Sequence, residues 1–202
     1  MGDLDKALAD ISFIRQQMAT TKEFRGLGPM TMALTAILAF ITGGLQYIFP
    51  QLAATPFAFF SSWIVTAIIA TLLVGGEMIA RSRRHHQGMA DEMVLAAMSH
   101  LLPAGIIGAL LLTAFAFYAP DLYWLLPPLW LMLVGCCLFA ALRILPPSLA
   151  IGAAAYVVLG FATFIFTVQS RDLSPLAMAL PFGCAQSLMA FLLYTAKGKK
   201  NA

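Results

Sequence analysis

The chain of 202 residues is 61% hydrophobic and only 10% charged, with a formal net charge of +3. Soluble domains carry roughly 25% charged residues, so this composition excludes an ordinary soluble protein and favours a membrane protein. The few charges cluster at the edges of apolar runs, which indicates membrane topology rather than direct nucleic-acid binding. The three cysteines all lie in apolar runs and indicate neither a disulfide framework nor a zinc site.

The first predicted element is an amphipathic helix over residues 3–25. Its apolar residues recur at helical spacing, and charged residues fall mostly between them. The apolar stripe consists of Leu4, Leu8, Ile11, Ile14 and Met18. Gly26, Gly28 and Pro29 end this helix. A lone stripe before a span favours a helix that lies on the cytoplasmic membrane surface; the alternative is a docking helix for a protein partner.

Six apolar runs follow, each close to the roughly 20 residues that cross the hydrocarbon core of a bilayer. They extend over about Pro29–Phe49, Phe57–Ala80, Met93–Tyr118, Leu122–Leu142, Leu149–Val168 and Pro175–Ala196. The sequence therefore predicts an all-α polytopic membrane protein with six transmembrane helices. Residues 1–28 form its cytoplasmic amphipathic helix, residues 29–196 the transmembrane bundle, and residues 197–202 a basic cytoplasmic tail.

The basic residues predict how this bundle is oriented. Eleven of the 12 Lys and Arg residues fall on one predicted side of the membrane, and Arg171 falls on the other. Such an asymmetry places both termini in the cytoplasm. The densest cluster is Arg81, Arg83 and Arg84, which we interpret as part of a charged internal loop within Arg81–His100.

Three ionisable residues are candidates for a polar cluster near the cytoplasmic ends of the spans. Glu77 lies in the second predicted span, His100 lies in the third, and Arg143 ends the fourth. Ionisable groups inside a membrane are costly and are functional candidates by default. If these helices pack together, the three side chains share one depth and line the inner gate of a small transporter or channel. Alternatively, Glu77 and Arg143 reach water and pair, while a neutral His100 bonds a backbone carbonyl.

A second pattern, made of methionine and histidine residues, is compatible with a metal-binding site. Met89, Met93 and His100 share one helical face, and thioether and imidazole ligands suit copper(I). The alternative is that these methionines are packing filler, since 11 are scattered through the chain. No cofactor is predicted, because bis-histidine haem needs histidines at matching depth on two spans. We interpret the adjacent Cys136 and Cys137 as two small apolar core residues.

No catalytic pattern is present, and we predict that the protein is not an enzyme. The sequence has no glycine-rich phosphate loop, no His-Glu-x-x-His helix and no Ser, His and Asp set at a common depth. Residues 102–105, Leu-Pro-Ala-Gly, resemble residues 180–183, Leu-Pro-Phe-Gly, as in the inverted repeat of a transporter. The first and fourth spans do not align at the same offset.

The leader carries a resemblance to known proteins. Residues 13–18, Phe-Ile-Arg-Gln-Gln-Met, are followed by Phe24 and by the Gly-Leu-Gly turn of residues 26–28. This segment resembles the opening of a group of small uncharacterised bacterial inner-membrane proteins with an Ile-Arg-x-x-Met leader and about six spans. Their genes often lie beside a gene for a winged-helix regulator. The resemblance implies a bacterial inner-membrane location and a cytoplasmic winged-helix partner, and it supplies no catalytic residues.

The leading functional prediction is a non-enzymatic membrane protein that senses or regulates through a cytoplasmic partner. The predicted partner or membrane surface combines the apolar stripe of the leader with Arg81, Arg83 and Arg84. The first alternative is a small transporter or channel that uses Glu77, His100 and Arg143. The second alternative is an accessory subunit of a membrane complex, since apolar bundles with short loops suit that role.

Overall fold

The described part of the protein is all-α. The computed structural model describes residues 27–85, 90–143 and 145–198. The helices are α1 (Pro29–Ile48), α2 (Pro56–His85), α3 (Ala90–Tyr118), α4 (Leu126–Ala141), α5 (Leu149–Thr167) and α6 (Pro175–Gly198). Two short 3₁₀ segments, Pro50–Ala53 and Pro120–Leu125, precede α2 and α4.

Proline marks where several of these helices begin. Pro29, Pro56 and Pro175 each occupy the first position of a helix. That position suits proline, because its fixed φ is already helical and its missing N–H would have no partner inside the helix. Pro103 and Pro181 instead lie within α3 and α6. Membrane helices tolerate interior prolines because neighbouring groups satisfy the freed carbonyls.

Five segments have the length and apolar composition of membrane spans. They are Pro29–Ile48, Pro56–Arg81, Pro120–Ala141, Leu149–Thr167 and Pro175–Ala196. The protein is therefore a polytopic membrane protein, as its composition predicts. The corresponding apolar stretch of α3 is shorter and extends over Leu102–Tyr118.

The charged loop predicted between the second and third spans, after Ala80 and before Met93, is partly helical, so the predicted bounds of these two spans are too short at this end. α2 continues to His85, and α3 already begins at Ala90. Arginine is a good helix former, and Arg81 pairs with Glu77 one turn earlier, which supports the continued helix. The basic residues therefore extend α2 beyond its apolar stretch.

The fourth apolar segment also differs from the prediction, which is a single helix that begins at about Leu122. Its first residues form the 3₁₀ segment Pro120–Leu125, and the α-helix begins at Leu126. Pro127 and Pro128 follow at once. Adjacent prolines fit the first turn of an α-helix, whose N–H groups lack intrahelical partners, but would remove hydrogen bonds further inside it.

The six helices pack in chain order around a ring. Each helix contacts the next one along the chain, and α6 closes the ring against α1. The α1–α6 and α4–α5 contacts are the most extensive. One apolar core, which includes Leu27, Met78 and Leu193, fills the end that also carries Arg81 and Arg143; we call this the basic end. A second core, which includes Phe59, Trp63 and Leu126, fills the opposite end.

Candidate functional site

Glu77 forms a polar junction between α1 and α2 near the basic end. Its carboxylate accepts a hydrogen bond from the Thr31 hydroxyl and another from Nε of Arg81 at 2.6 Å. The backbone of Gly28 lies directly against the same carboxylate. Glu77 and Arg81 keep 20% and 24% of their side-chain surface exposed. We call Gly28, Thr31, Glu77 and Arg81 the Glu77 joint.

The electrostatics of α1 explain why a carboxylate is held at this position. The first turn of a helix has unpaired N–H groups and a partial positive charge, which together attract an anion. The N-cap of α1 is Gly28, which offers no side-chain cap, and its first turn contains no acidic residue. Glu77 therefore supplies from α2 the negative charge that α1 lacks.

Glycine at position 28 lets the chain that enters α1 pass close to the Glu77 carboxylate. A Cβ atom placed on Gly28 would overlap the carboxyl oxygens and carbon of Glu77. The backbone of Gly28 is extended, with φ −105° and ψ 137°, a conformation that any residue adopts, so the role of this glycine is the close contact itself. The chain that enters α1 is thus held against α2 by direct contact.

The predicted cluster of Glu77, His100 and Arg143 is not joined by polar contacts in the structure. Glu77 pairs with Arg81 instead of with Arg143. His100 is half-buried on α3, and Arg143 is exposed just after α4. Within residues 27–85, 90–143 and 145–198, the side chains of His100 and Arg143 make no hydrogen bond or ion pair. A shared role for the three in transport stays a prediction.

The predicted copper face of Met89, Met93 and His100 is described only at His100. Met89 lies outside the described residues, and so does the side chain of Met93. Among the side chains that the structure does describe, no group of three or more His, Cys, Asp and Glu could hold a metal ion. The metal site stays a prediction.

The predicted partner or membrane surface falls largely outside the described residues. This holds for the apolar stripe Leu4, Leu8, Ile11, Ile14 and Met18, and for the side chains of Arg83 and Arg84. Arg81 is described and belongs to the Glu77 joint. The surface as a whole stays a prediction.

A buried glutamine at the opposite end joins the same two helices. Gln46 is 2% exposed; its Oε1 accepts a hydrogen bond from Trp63 Nε1 at 2.9 Å. Its Nε2 donates to the carbonyl of Phe59 at 3.1 Å and to that of Leu52 at 3.4 Å. This group is not among the residues predicted from the sequence. A glutamine and a tryptophan near the facing ends of consecutive spans were the available signal.

Polar contacts therefore join α1 and α2 at three levels. Between the Glu77 joint and Gln46, the hydroxyls of Thr42 and Thr66 lie 2.6 Å apart. We call the Thr31–Glu77, Thr42–Thr66 and Gln46–Trp63 pairs the α1–α2 seam. Interhelical hydrogen bonds of this kind contribute about 0.6–2 kcal/mol each in membrane proteins.

The cysteine pair does not form the apolar core that the sequence suggested. Cys136 is exposed and Cys137 is half-buried. Adjacent residues of an α-helix point roughly 100° apart, so both rarely face the same core. The prediction of two core residues is therefore wrong for Cys136.

Comparisons with protein-family models, with curated proteins and with solved structures gave no match to this chain.

Proposed function

We propose that this protein is a non-enzymatic, six-span protein of the bacterial inner membrane that senses or regulates through a soluble cytoplasmic partner. The observation that carries the proposal is the Glu77 joint, because it lies where the amphipathic leader meets the bundle. Gly28 is the last residue before α1, and Arg81 begins the basic turn of α2. Along the chain, the proposed leader precedes this joint directly and the basic residues of α2 follow it.

The dimensions of α3 support a sixth crossing. Its 29 residues rise about 44 Å at 1.5 Å per residue, more than the roughly 30 Å of hydrocarbon in a bilayer. α3 also packs between α2 and α4, which both belong to candidate spans. An even number of crossings returns the C-terminus to the side of the leader.

The distribution of positive charge supports a cytoplasmic basic end. Arg81 and Arg143 lie at the basic end, together with the start of α1 and the end of α6. Arg171 lies in the turn between α5 and α6, at the opposite end. Cytoplasmic loops of membrane proteins carry an excess of Lys and Arg, so this arrangement favours both termini in the cytoplasm.

The proposed signal passes between the leader and α2. A partner that pulls or rotates residues 3–25 moves Gly28, which contacts the Glu77 carboxylate with no space between them. Displacement of that carboxylate changes its bonds to Thr31 and Arg81. The basic turn of α2 then shifts relative to the leader, and the partner surface changes shape.

Purification from native membranes tests the proposal. The tagged protein, expressed at its native level and isolated in lipid nanodiscs, should carry a stoichiometric cytoplasmic protein of the winged-helix class, identified by mass spectrometry. Deletion of residues 3–25 should release that protein and change gene expression. Glu77→Gln should weaken retention, whereas Thr71→Val, at an exposed position of the same helix, should not. The proposal fails if no cytoplasmic protein is retained and the deletion leaves gene expression unchanged.

A further inference from the structure

The two ends of α2 are attached to the bundle in different ways. At the end away from the basic end, Phe59, Phe60 and Trp63 are buried in the second core. Trp63 Nε1 donates to Gln46 at 2.9 Å, and the carbonyl of Phe59 accepts from the same amide side chain at 3.1 Å. The ring centroids of Phe60 and of Trp130 on α4 are 5.6 Å apart. Aromatic packing and hydrogen bonds therefore fix this end of α2 to both α1 and α4.

The basic end of α2 is attached by fewer contacts. Over residues 64–81, where the structure describes every side chain of α2, Met78 alone is buried, and the half-buried Val74 packs against the same core. A methionine side chain is unbranched and flexible, so it refits a changed surface easily. The polar attachment at this end is the Glu77 joint, in which the carboxylate accepts from Thr31 of α1. The attachment of this end therefore depends strongly on one polar contact.

The middle of α2 is not close-packed. None of the residues 64–77 is buried. At roughly 100° per residue these positions face every direction around the helix, so the side towards the bundle is included. In α5, by contrast, buried residues recur along the whole helix from Leu149 to Thr167. A tilt of α2 therefore breaks few contacts along its middle.

A bilayer increases the relative weight of the polar attachments of α2. Lipid tails are as apolar as the side chains of the bundle, so an apolar helix surface that leaves its neighbour loses little when it contacts lipid. A polar group that leaves its partner finds little compensation in hydrocarbon. The Glu77 joint therefore contributes much of the free energy that holds the basic end of α2 against α1.

We infer that α2 is a lever, which pivots at its end in the second core and whose basic end swings away from the bundle when the Glu77 joint opens. From Trp63 to Arg81 the helix rises about 27 Å, so a tilt of about 10° moves Arg81 by about 5 Å. Shifts of a whole helix against its neighbours are a recurring switching device in proteins. The swing does not depend on a soluble partner, so its failure and that of the proposed function are distinguishable.

Distances between spin labels at the two ends of α2 test the lever. The native cysteines are first replaced by alanine. One protein carries labels at Ile79→Cys and Ile151→Cys, near the basic ends of α2 and α5, and a second carries them at Phe57→Cys and Phe166→Cys, near the opposite ends; all four positions are exposed. In nanodiscs, measured by double electron–electron resonance, Glu77→Ala should lengthen the distance at the basic end by about 3–6 Å and leave the distance at the opposite end within about 1 Å.

Thr66→Val is the matched control, because it removes the contact with Thr42 between the same two helices but close to the pivot. Both distances should stay unchanged in this variant. If Glu77→Ala does not fold, Thr31→Val opens the joint from α1, keeps the ion pair of Glu77 with Arg81, and should give the same lengthening. An unchanged distance at the basic end, an equal change at both ends, or an equal lengthening in Thr66→Val overturns the lever.

Discussion

Individual polar residues define the two ends of the α1–α2 seam. Glu77 holds α2 against the first turn of α1 at the basic end, and Gln46 holds the same helices together at the opposite end. Apolar contacts between helices compete with equivalent contacts to lipid, whereas an unpaired polar group finds little compensation in hydrocarbon. These residues therefore specify which helices pair.

Gly28→Ala should destabilise the protein by about 0.5–1.5 kcal/mol, because the added methyl displaces the Glu77 carboxylate from its hydrogen bonds with Thr31 and Arg81. Gly76→Ala is the matched control, since a Cβ there meets nothing within 4 Å. The measurement is the free energy of unfolding in mixed micelles, followed by circular dichroism. In a Glu77→Ala background the cost of Gly28→Ala should fall towards zero. An equal cost in both backgrounds contradicts the contact.

Gln46→Leu should also destabilise the bundle by about 1–3 kcal/mol, because it leaves Trp63 Nε1 and the Phe59 carbonyl without their partner. Gln51→Leu replaces the same residue type at an exposed position nearby and should change stability by less than about 0.5 kcal/mol. Thermal unfolding in one detergent compares the two variants. If Gln51→Leu lowered the stability as much as Gln46→Leu, the buried hydrogen bonds of Gln46 would contribute nothing to the stability of the bundle.

Among the helix pairs, α1 and α6 approach each other closely at Gly43. A Cβ on Gly43 would overlap that of Ala179 and would lie 3.3 Å from the carbonyl oxygen of Pro175, so backbone as well as side chain stands in its way. The neighbouring Gly44 faces open space. Small residues at helix interfaces allow such close approach in membranes.

Gly43→Ala should cost about 1–3 kcal/mol, because the two helix backbones must separate. Gly44→Ala should be neutral or slightly stabilising, since alanine favours the helix and meets no neighbour. Reversible unfolding of both variants in the same micelles compares them directly. A cost for Gly44→Ala as large as that for Gly43→Ala would place the interface elsewhere.

The helices themselves could be predicted from sequence, because apolar runs and prolines are local signals. The predicted bounds of α1, α5 and α6 agree with the structure within about two residues at each end. The helical extension through Arg81–His85 is not predicted, because a cluster of charges after an apolar run is also typical of a loop. The partners of Glu77 and Gln46 depend on which helices become neighbours, and the spacing of residues along one chain does not specify that.

For the whole molecule, the ring exposes apolar surface over much of its circumference. In the most apolar stretch of α2 only 17% of the residues are buried inside the protein, compared with 44% in that of α6. Leu72 of α2 is 70% exposed, and Val158 of α5 is 65% exposed. In a bilayer these side chains meet lipid tails, so exposure that would cause aggregation in water is compatible with a stable monomer here.

The most direct measurement is a series of reporter fusions that decides the number of crossings and the side of the basic end. Alkaline phosphatase, active only outside the cytoplasm, and green fluorescent protein, fluorescent only inside it, are fused after Gly88, Asp121, Pro147, Asp172 and Ala202. We predict phosphatase activity after Asp121 and Asp172, and fluorescence after Gly88, Pro147 and Ala202. If the Asp121 fusion behaves like the Gly88 fusion, α3 does not cross the membrane. If phosphatase activity appears where fluorescence is predicted and fluorescence where phosphatase activity is predicted, the basic end faces away from the cytoplasm and no cytoplasmic partner reaches it.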